Sequence, residues 1–508
     1  MFTKINSAAV LGLECLPIVA EVDIAGSWPG YQIVGLPDTA IQEAKERIRT
    51  AWKNTNLTFP SNSRVIINLA PADVRKEGSA YDLPMAVGMF LSSEKLALDV
   101  SDSLFVGELA LDGKLRHTNG ILPLAIYARD HGYKKLFVPA INAAEASLIA
   151  EVEVYGVETF GSMIAHLTHT SLIERQKIQS LEEWFEEVPM EMDMAYIKGQ
   201  EFVKRALEIA ASGGHNILLS GPPGAGKTLL ARTLASILPK LTLKEAIEVT
   251  KIYSVAGMLS GQKPLITQRP FRSPHHTSSG TSIIGGGKFP RPGEISLSHR
   301  GVLFLDEFPE FPRFVLESLR QPLEDGLVTV SRVQSTVTFP ARFTLVASQN
   351  PCPCGYATDP EKACICSPHS IARYQKKISG PILDRIDLHV EVARVEFEKL
   401  SNNELAESSY TIRERVEMAR EKQAHRFQNT TCVTNSEMRQ KEIKNFCKLN
   451  DECLDLLKKA VTHLHLSARG YHRIIKLART IADLENTENI EAEHIAEALQ
   501  YRSKGEAL

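Results

Sequence analysis

The sequence lacks any apolar run close to the roughly 20 residues that a helix needs to cross a bilayer. Its N-terminal apolar stretch, residues 8–13, is followed by Glu14 and has neither a basic flank nor a cleavage site, so it does not resemble a secretion signal. These absences favour a cytoplasmic protein that does not contact a membrane.

The sequence also lacks an excess of positive charge. Its 58 Lys and Arg residues are outnumbered by 61 Asp and Glu residues, which gives a formal net charge of −3. A polyanionic partner would therefore have to be bound by local basic clusters, because the whole chain offers no attraction. The 508 residues exceed what one core usually organises, so we expect about two to four domains.

Cysteine is scarce and unevenly placed. Of eight cysteines in the chain, four are bunched: Cys352, Cys354, Cys364 and Cys366. This usage indicates a reducing compartment and not a disulfide framework. Two C-x-C pairs can offer four thiolates to a tetrahedral Zn²⁺, although zinc sites often use the wider C-x-x-C spacing. Two interpretations stay open: a zinc site, and redox-active or merely buried thiols.

A glycine-rich loop organises the rest of the chain. It follows the apolar run 217–219, precedes a segment with helical periodicity, and comprises Gly221, Pro222, Pro223, Gly224, Ala225, Gly226, Lys227 and Thr228. A strand that turns through glycines into a helix N-terminus directs backbone N–H groups at phosphate oxygens. Lys227 can reach the outer phosphates and Thr228 can ligate Mg²⁺. The pattern predicts a nucleoside triphosphate site.

Two carboxylates follow a second apolar run. Residues 301–305 lead into Asp306 and Glu307, as expected for a buried parallel strand that ends at the ligand-binding edge of an open α/β sheet. We expect Asp306 to hold Mg²⁺ and Glu307 to orient or deprotonate the attacking water.

Several further segments resemble AAA+ ATPases. The segment around Ile197 is similar to the adenine-side element, and residues 343–350 end where that family places the polar residue that senses the γ-phosphate, here Asn350. Residues 383–387 resemble the segment whose arginine enters the neighbouring subunit's site, which implies that role for Arg385. Residues 467–470 resemble the start of the lid helix; Arg469 is our choice for the lid arginine and Arg473 the alternative.

Residues 1–170 alternate strand and helix patterns, and two segments, 68–84 and 106–123, resemble the Lon-type protease domain. In that register Ala80 stands where Lon proteases have their serine, and Leu122 where they have their lysine. Ser79 is one position away from the nucleophile. A Ser–Lys dyad needs both groups within hydrogen-bond reach, so we expect a Lon-like fold without peptidase chemistry.

Two insertions suggest contact with nucleic acid. Residues 262–300 carry six Lys or Arg residues against one acid, together with a glycine run, and a flexible basic loop suits a phosphate backbone. Residues 327–338 read as a β-hairpin. We select Lys288 from the first insertion and Arg332 near the hairpin tip as DNA-binding residues. The alternative for the basic insertion is a solvated loop.

Taken together, segments 271–276, 292–297, 321–326 and the hairpin resemble the AAA+ clade of magnesium chelatase ATPase subunits and MCM helicases, and the Lon-like region narrows this to the bacterial ComM/YifB family. The resemblance implies an α/β fold of four segments: a Lon-like domain (1–170), a charged linker (171–195), an AAA+ parallel-sheet domain with helix-2 and pre-sensor-1 insertions (196–394), and an all-α lid (395–508). It further implies ATP and Mg²⁺, a homo-hexamer, DNA and recombination proteins as partners, and branch migration during natural transformation.

Two other functions remain open. One is a chelatase-type motor that inserts Mg²⁺ into a porphyrin or remodels a protein partner. The Lon-like region argues against it, because that region resembles a domain of the recombination ATPase RadA. The other is an ATP-dependent peptidase, which Ala80 and Leu122 disfavour.

Overall fold

The structure is a computed structural model. It describes residues 2–26, 28–55, 57–74, 76, 78–177, 184–185, 192–259, 261, 263–287, 290–331, 336–359, 361–395, 405–463 and 466–502.

The strands, in chain order, are β1 Phe2–Leu11, β2 Glu14–Ala25, β3 Gly30–Val34, β4 Arg64–Ala70, β5 Ser103–Phe105, β6 Glu108–Leu109, β7 Leu115–Arg116, β8 Lys135–Pro139, β9 Glu153–Val157, β10 Ile217–Ser220, β11 Phe271–Arg272, β12 Gly285–Gly286, β13 Arg291–Pro292, β14 Val302–Leu305, β15 Leu327–Ser331, β16 Thr336–Pro340, β17 Thr344–Gln349 and β18 Leu388–Glu391. The α-helices are α1 Thr39–Asn54, α2 Asp82–Ser93, α3 Ile121–Asp130, α4 Ala143–Ala146, α5 Phe160–Leu167, α6 Glu201–Gly213, α7 Lys227–Ile237, α8 Leu243–Ala256, α9 Gly280–Ile284, α10 Glu294–Leu297, α11 Arg313–Ser318, α12 Arg320–Asp325, α13 Pro368–Gln375, α14 Gly380–Leu383, α15 Ser409–Arg426, α16 Gln440–Phe446, α17 Asp451–His463, α18 Ala468–Leu484 and α19 Ala492–Gln500.

The chain forms two compact units. The first contains Met1–Glu186 and Leu243–Thr267, and the second contains Glu187–Thr242 and Gln268–Leu508. α8 and the loop after it lie inside the predicted AAA+ range, 196–394, but belong to the first unit. The second unit contains both the rest of that range and the predicted lid, 395–508, so the boundary between them stays a prediction.

The first unit is α/β, as the sequence patterns predicted. β1, β2, β4 and β3 form a mixed sheet in that order, and β5, β8 and β9 form a parallel one. Alternate residues of β2 are buried, which is the pattern of a half-buried strand. α1 begins at Asp38, whose Oδ1 accepts a hydrogen bond of 2.9 Å from the backbone N–H of Ile41, a side-chain cap of the helix N-terminus.

A buried carboxylate joins α8 to this unit. Oε1 of Glu145 accepts hydrogen bonds from the Leu122 backbone N–H at 2.9 Å and from the Ser254 hydroxyl in α8, while Oε2 accepts from Asn142 at 3.2 Å. Burial raises the pKa of Glu145, although these hydrogen bonds act to lower it. The contacts explain why α8 packs here although its sequence neighbours belong to the second unit.

The residues of the Lon-like motif have other partners in the described structure. Ser79 Oγ donates to Glu108, and Lys76 is buried with its ammonium on the carbonyl of Pro71. Leu122 is buried at the start of α3. The Ser79 hydroxyl is therefore paired with a carboxylate, which is not the arrangement of a Ser–Lys dyad.

The second unit is built on a parallel sheet of order β11–β14–β17–β10–β18. β14 is buried along its whole length and β10 over its first three residues, which explains why both are continuous apolar runs. Two antiparallel hairpins, β12–β13 and β15–β16, interrupt the unit, and helices α15–α19 complete it. The predicted α/β class, with a parallel sheet, both insertions and a helical lid, is confirmed.

The segment predicted as a linker has bonds at both of its described ends. Arg175 pairs with Glu153 at 3.5 Å, and the Asp193 carboxylate accepts from the backbone N–H groups of Ala195 and Ser409, both at 2.8 Å. Residues 178–183 and 186–191 lie outside the described part. Among the described residues, no helix combines the length and the apolar character that a membrane crossing requires.

We expect Glu145→Ala to lower the free energy of unfolding by about 1–3 kcal/mol, because it leaves buried donors of Leu122, Ser254 and Asn142 without an acceptor. Denaturant unfolding of the full chain measures the change. Glu151→Ala, at an exposed position of the same unit, is the matched control and should stay within about 0.5 kcal/mol. Equal stability of the two variants would contradict the role given to Glu145.

Candidate nucleotide site

The glycine-rich loop connects β10 to α7, as its sequence predicted. Gly224 and Gly226 have left-handed backbones, with φ of 81° and 85°, which glycine adopts at little cost. A Cβ on Gly221 would lie 2.2 Å from the carbonyl oxygen of Val392, so no other residue fits there. The loop therefore reaches the N-terminus of α7 in a conformation that leaves backbone N–H groups available for an anion.

Lys227 points back into this loop. Its ammonium donates to the carbonyl oxygens of Gly221 at 2.7 Å and Pro222 at 2.9 Å, and to Oδ1 of Asn350 at 3.1 Å. Burial lowers the pKa of Lys227, with the charge of Asp306 acting in the opposite direction. All three bonds go to neutral oxygens, and phosphate oxygens would be stronger acceptors for the same cation.

The two predicted magnesium ligands are in direct contact. Thr228 Oγ1 donates to Asp306 Oδ2 at 2.8 Å, and Asp306 Oδ1 accepts from the Glu307 backbone N–H at 3.0 Å and from the Ser348 hydroxyl. A hydroxyl beside a carboxylate is an oxygen donor set that suits a hard cation such as Mg²⁺. Bound there, Mg²⁺ would neutralise charge on the outer phosphates. Sequence reasoning missed Ser348, whose only signal was a polar residue at the end of an apolar strand.

Glu307 is held by a residue that was not predicted. Its Oε2 lies 3.1 Å from Nδ1 of His276, and its backbone is left-handed with φ of 51°. The side chain is 54% exposed, so water reaches the carboxylate. The sequence signal for His276 was the pair of histidines in segment 271–276, which pattern reasoning gave no role. The position of Glu307 suits an acid that orients water, with His276 setting its direction.

Asn350 stands at the centre of the site because of the strand order. It follows β17, which lies between β14 and β10 in the sheet, and its bond to Lys227 joins the two edges of the site. Ile197 is different: it is 5% exposed and belongs to the apolar core of the second unit. An adenine contact by Ile197 stays a prediction.

The predicted arginines Arg385 and Arg469 meet at one carboxylate. Glu324 at the end of α12 accepts from Arg385 and from Arg469 at 3.2 Å. Arg385 is 10% exposed, and its Nε is buried without a hydrogen-bond partner in the described part of the chain. Arg473 instead donates to the Ile386 carbonyl at 2.7 Å and pairs with Asp384 at 3.3 Å. Sequence reasoning missed Glu324.

Two arginines of the basic insertion, residues 262–300, form hydrogen bonds within the chain. Arg272 donates two hydrogen bonds, of 2.6 and 2.7 Å, to Glu294, the single acidic residue of the insertion. Arg269 donates to the backbone carbonyls of Pro239 at 2.6 Å and Arg300 at 2.7 Å. These two arginines are thus engaged within the chain, and contact of the insertion with a phosphate backbone stays a prediction. The predicted DNA-binding residues Lys288 and Arg332 lie outside the described residues.

The four clustered cysteines come together, as expected for a metal site. Their sulfurs all lie within 4.8 Å of one another, and Cys352 Sγ is 3.4 Å from Cys354 Sγ and 3.7 Å from Cys364 Sγ. Hydrogen bonds from the backbone N–H groups of Tyr356 and Ile365 lower the pKa of Cys354 to about 6.

The parallel sheet order, the phosphate loop facing Asp306 and Glu307, and the two hairpin insertions define a magnesium chelatase-type AAA+ protein. Comparison with known families agrees. Residues 20–142 match the family described as "Subunit ChlI of Mg-chelatase", residues 193–400 match "Magnesium chelatase, subunit ChlI", and residues 406–502 match "Magnesium chelatase, subunit ChlI C-terminal".

Relatives that match nearly the whole chain identify the family within this class of AAA+ proteins. The chain is 42% identical over 509 residues to competence protein ComM of Haemophilus influenzae, covering 98% of this chain and 97% of that protein. It is also 42% identical over 501 residues to YifB of Escherichia coli, covering 98% and 96%. The magnesium-chelatase 38 kDa subunit of Rhodobacter capsulatus is 29% identical over 174 residues, 30% of this chain and 49% of that subunit. The chain belongs to the ComM/YifB family of magnesium chelatase-like AAA+ proteins.

A pair of variants separates nucleotide binding from hydrolysis. Lys227→Ala should abolish nucleotide binding or turnover, because it removes the cation of the phosphate loop. Glu307→Gln should bind ATP but turn it over on the order of 100-fold to 10,000-fold more slowly, as expected when a general base is lost. Fluorescent-nucleotide titration and phosphate release measure the two properties, with Lys458→Ala on α17 as an exposed-cation control. Wild-type turnover by Glu307→Gln would show that another group handles the water.

Proposed function

We propose that the protein is an ATP-driven, homo-hexameric DNA helicase or translocase that promotes branch migration in homologous recombination during natural transformation. Hydrolysis would use the carboxylate of Glu307 to orient water, with Lys227 and Asn350 placing the γ-phosphate. The name of the Haemophilus relative, competence protein ComM, supports the connection to incoming DNA.

The position of the two arginines carries this proposal. Both Arg385 and Arg469 bind Glu324, whereas the bonds of Lys227, Thr228 and Asp306 in the described structure go to other groups. An arginine that is held at a carboxylate of its own chain can be supplied to the site of a neighbouring subunit, and an arginine supplied in trans is worth about 10³–10⁵ in rate. The arrangement favours a ring in which each subunit completes the site of the next.

Glu324 also connects the arginines to the second hairpin. It lies two residues before Gly326, which ends α12 with a φ of 69° before β15 begins at Leu327. An arginine that left Glu324 for a neighbour's phosphate would remove a restraint at the base of this hairpin. Hydrolysis at one interface would in this way be coupled to hairpin movement.

DNA would be contacted by the two hairpins. In the sequence, Lys288 lies between β12 and β13, and Arg332 lies between β15 and β16. Since Arg269 and Arg272 already have partners within the chain, we assign the phosphate contacts to Lys288 and Arg332. Backbone contacts position a protein without reading bases, so sequence preference should be weak.

The proposed ligands are ATP, Mg²⁺ at Thr228 and Asp306, and Zn²⁺ at the four clustered cysteines. DNA, further copies of this chain and recombination proteins are the proposed partners, and the cytoplasm is the proposed location. The reducing compartment suggested by cysteine usage agrees with that location.

The second candidate is a chelatase-type motor that inserts metal or remodels a protein partner. It is favoured by the magnesium chelatase descriptions of all three matched regions, whereas the match to a chelatase subunit covers only 30% of this chain. ATPase rates measured with forked, single-stranded and duplex DNA separate the candidates. Stimulation supports a DNA motor, and its absence with all three substrates would favour the chelatase type.

Arg385→Ala should leave ATP binding intact and remove hydrolysis, because the arginine serves a neighbour's site. Mixing this variant with Lys227→Ala protein tests the point further. Some interfaces of a mixed ring combine an intact phosphate loop with an intact Arg385, so activity should partly return. Lys458→Ala in place of Arg385→Ala is the control for mixing itself. No recovery at any ratio, in rings shown to exchange subunits, would count against a role in trans.

Arg332→Ala should weaken DNA binding and flatten its salt dependence by about one unit of slope for each phosphate that is no longer neutralised. It should also uncouple ATP hydrolysis from branch migration, while ATPase activity without DNA survives. Binding to forked DNA at several salt concentrations and a branch-migration assay measure these effects against wild type and Lys458→Ala. Unchanged binding and unwinding would remove the hairpin from the mechanism.

A further inference from the structure

The segment between Asn350 and α13 has little apolar surface with which to hold a fold. Residues 351–359 and 361–367 form turns and bends without a helix or strand. Within these ranges the buried residues are Pro351, Cys352 and Gly355, and Ile365 is 88% exposed. Ordered loops of this length without secondary structure are uncommon, so this one needs another source of order.

Its four cysteines have the spacing of metal ligands. Zn–S bonds of about 2.3 Å in a tetrahedron place the sulfurs about 3.8 Å apart, and the Sγ–Sγ distances of Cys352, Cys354 and Cys364 are 3.4, 3.6 and 3.7 Å. A disulfide would bring two sulfurs to about 2.05 Å. The sulfurs are therefore separate and surround one point.

Backbone N–H groups donate to the cysteine sulfurs, as they do around metal-bound thiolates. The N–H of Cys366 donates to Cys364 Sγ at 3.4 Å, and the N–H groups of Tyr356 and Ile365 donate to the Cys354 sulfur. Outer hydrogen bonds of this kind orient ligands and offset their negative charge. A soft, four-thiolate tetrahedral set selects Zn²⁺ among the common divalent ions.

The cysteine loop rests on the nucleotide site. A Cβ on Gly355, whose φ is 86°, would lie 2.6 Å from Cδ of Pro223 and 3.9 Å from Cγ of Asn350. The two ends of the cysteine loop are also joined to each other. The backbone N–H of Asn350, just before the loop, donates to the hydroxyl of Tyr374 in α13, just after it, and Tyr374 is buried. The cysteine loop thus packs against both the phosphate loop and Asn350.

We infer that Cys352, Cys354, Cys364 and Cys366 hold one Zn²⁺ as thiolates, and that the metal-closed loop braces Pro223 and Asn350 in the nucleotide site. The ion takes no part in the chemistry. Each thiol that binds releases its proton to solvent, with no change of oxidation state. The effect on turnover rests on the proposed ATPase activity, whereas the metal site does not.

The test uses the full chain purified without a histidine tag. Elemental analysis should find about one zinc per chain, and Co²⁺ exchanged into the protein should give the visible absorption of a tetrahedral tetrathiolate. The double variant Cys364→Ser/Cys366→Ser should lose the metal, and Cys432→Ser, a half-buried cysteine of the same unit, should keep it. With the ion removed, turnover at saturating ATP should fall on the order of tenfold to a hundredfold, as expected when a positioning group is displaced.

The outcomes test the metal site, the brace on the nucleotide site and the proposed function separately. Wild-type protein without zinc, or with a disulfide between these cysteines by mass spectrometry, overturns the metal site. Zinc in the wild type but unchanged turnover in the metal-free variant overturns the brace alone. Zinc without any ATPase activity contradicts the proposed function and leaves the site intact. If the double variant does not fold, removal of zinc from the wild type with a chelator, followed by nucleotide binding and circular dichroism, gives the same comparison.

Discussion

The parallel register of β14, β17 and β10 is the constraint on which the candidate site depends. Phe304, Val346 and Ile217 are level with one another across the three strands, so their carboxyl ends lie at the same edge of the sheet. That alignment brings Thr228 within 2.8 Å of Asp306, 78 positions further along the chain. A slip of one residue would turn buried side chains of these strands to the opposite face and separate the two proposed magnesium ligands. The apolar strand interiors thus fix the polar edge.

Sequence patterns predicted what depends on local chemistry. The phosphate loop, the acids after β14, the hairpin β15–β16 and the strand before Asn350 each follow from a strand, turn or helix signal within a few residues. The contacts of His276, Ser348 and Glu324 could not be predicted in this way, because each partner is distant in sequence and is selected only by the sheet order. The place of α8 in the first unit was missed for the same reason, since it depends on a buried carboxylate, Glu145, that is 109 positions earlier in the chain than its hydroxyl partner in α8.

Charge shows the same limit of sequence reasoning. Composition counts Arg272 and Arg269 as available cations, but the folded chain uses one against Glu294 and the other on backbone carbonyls. A guanidinium that already has a bidentate carboxylate partner gains less from a phosphate than a solvated one does, because the existing bonds must first be broken. Local basic content therefore overstates how many guanidinium groups can bind a phosphate without first breaking another contact.

The segments around the nucleotide site are held by polar contacts that a ligand can replace, and this distinguishes them from the apolar core. Lys227 bonds to its own loop through carbonyls, Glu307 is paired with His276, and Arg385 and Arg469 share Glu324. A phosphate can compete for Lys227 in particular, because a charged oxygen is a stronger acceptor than the neutral oxygens that the ammonium now contacts. The cysteine loop would differ if it holds the proposed Zn²⁺, because a tetrahedral thiolate site is closed and offers no position to a ligand. A fixed support next to exchangeable contacts is what a site needs if nucleotide is to move some of its parts while Asn350 and the phosphate loop keep their geometry.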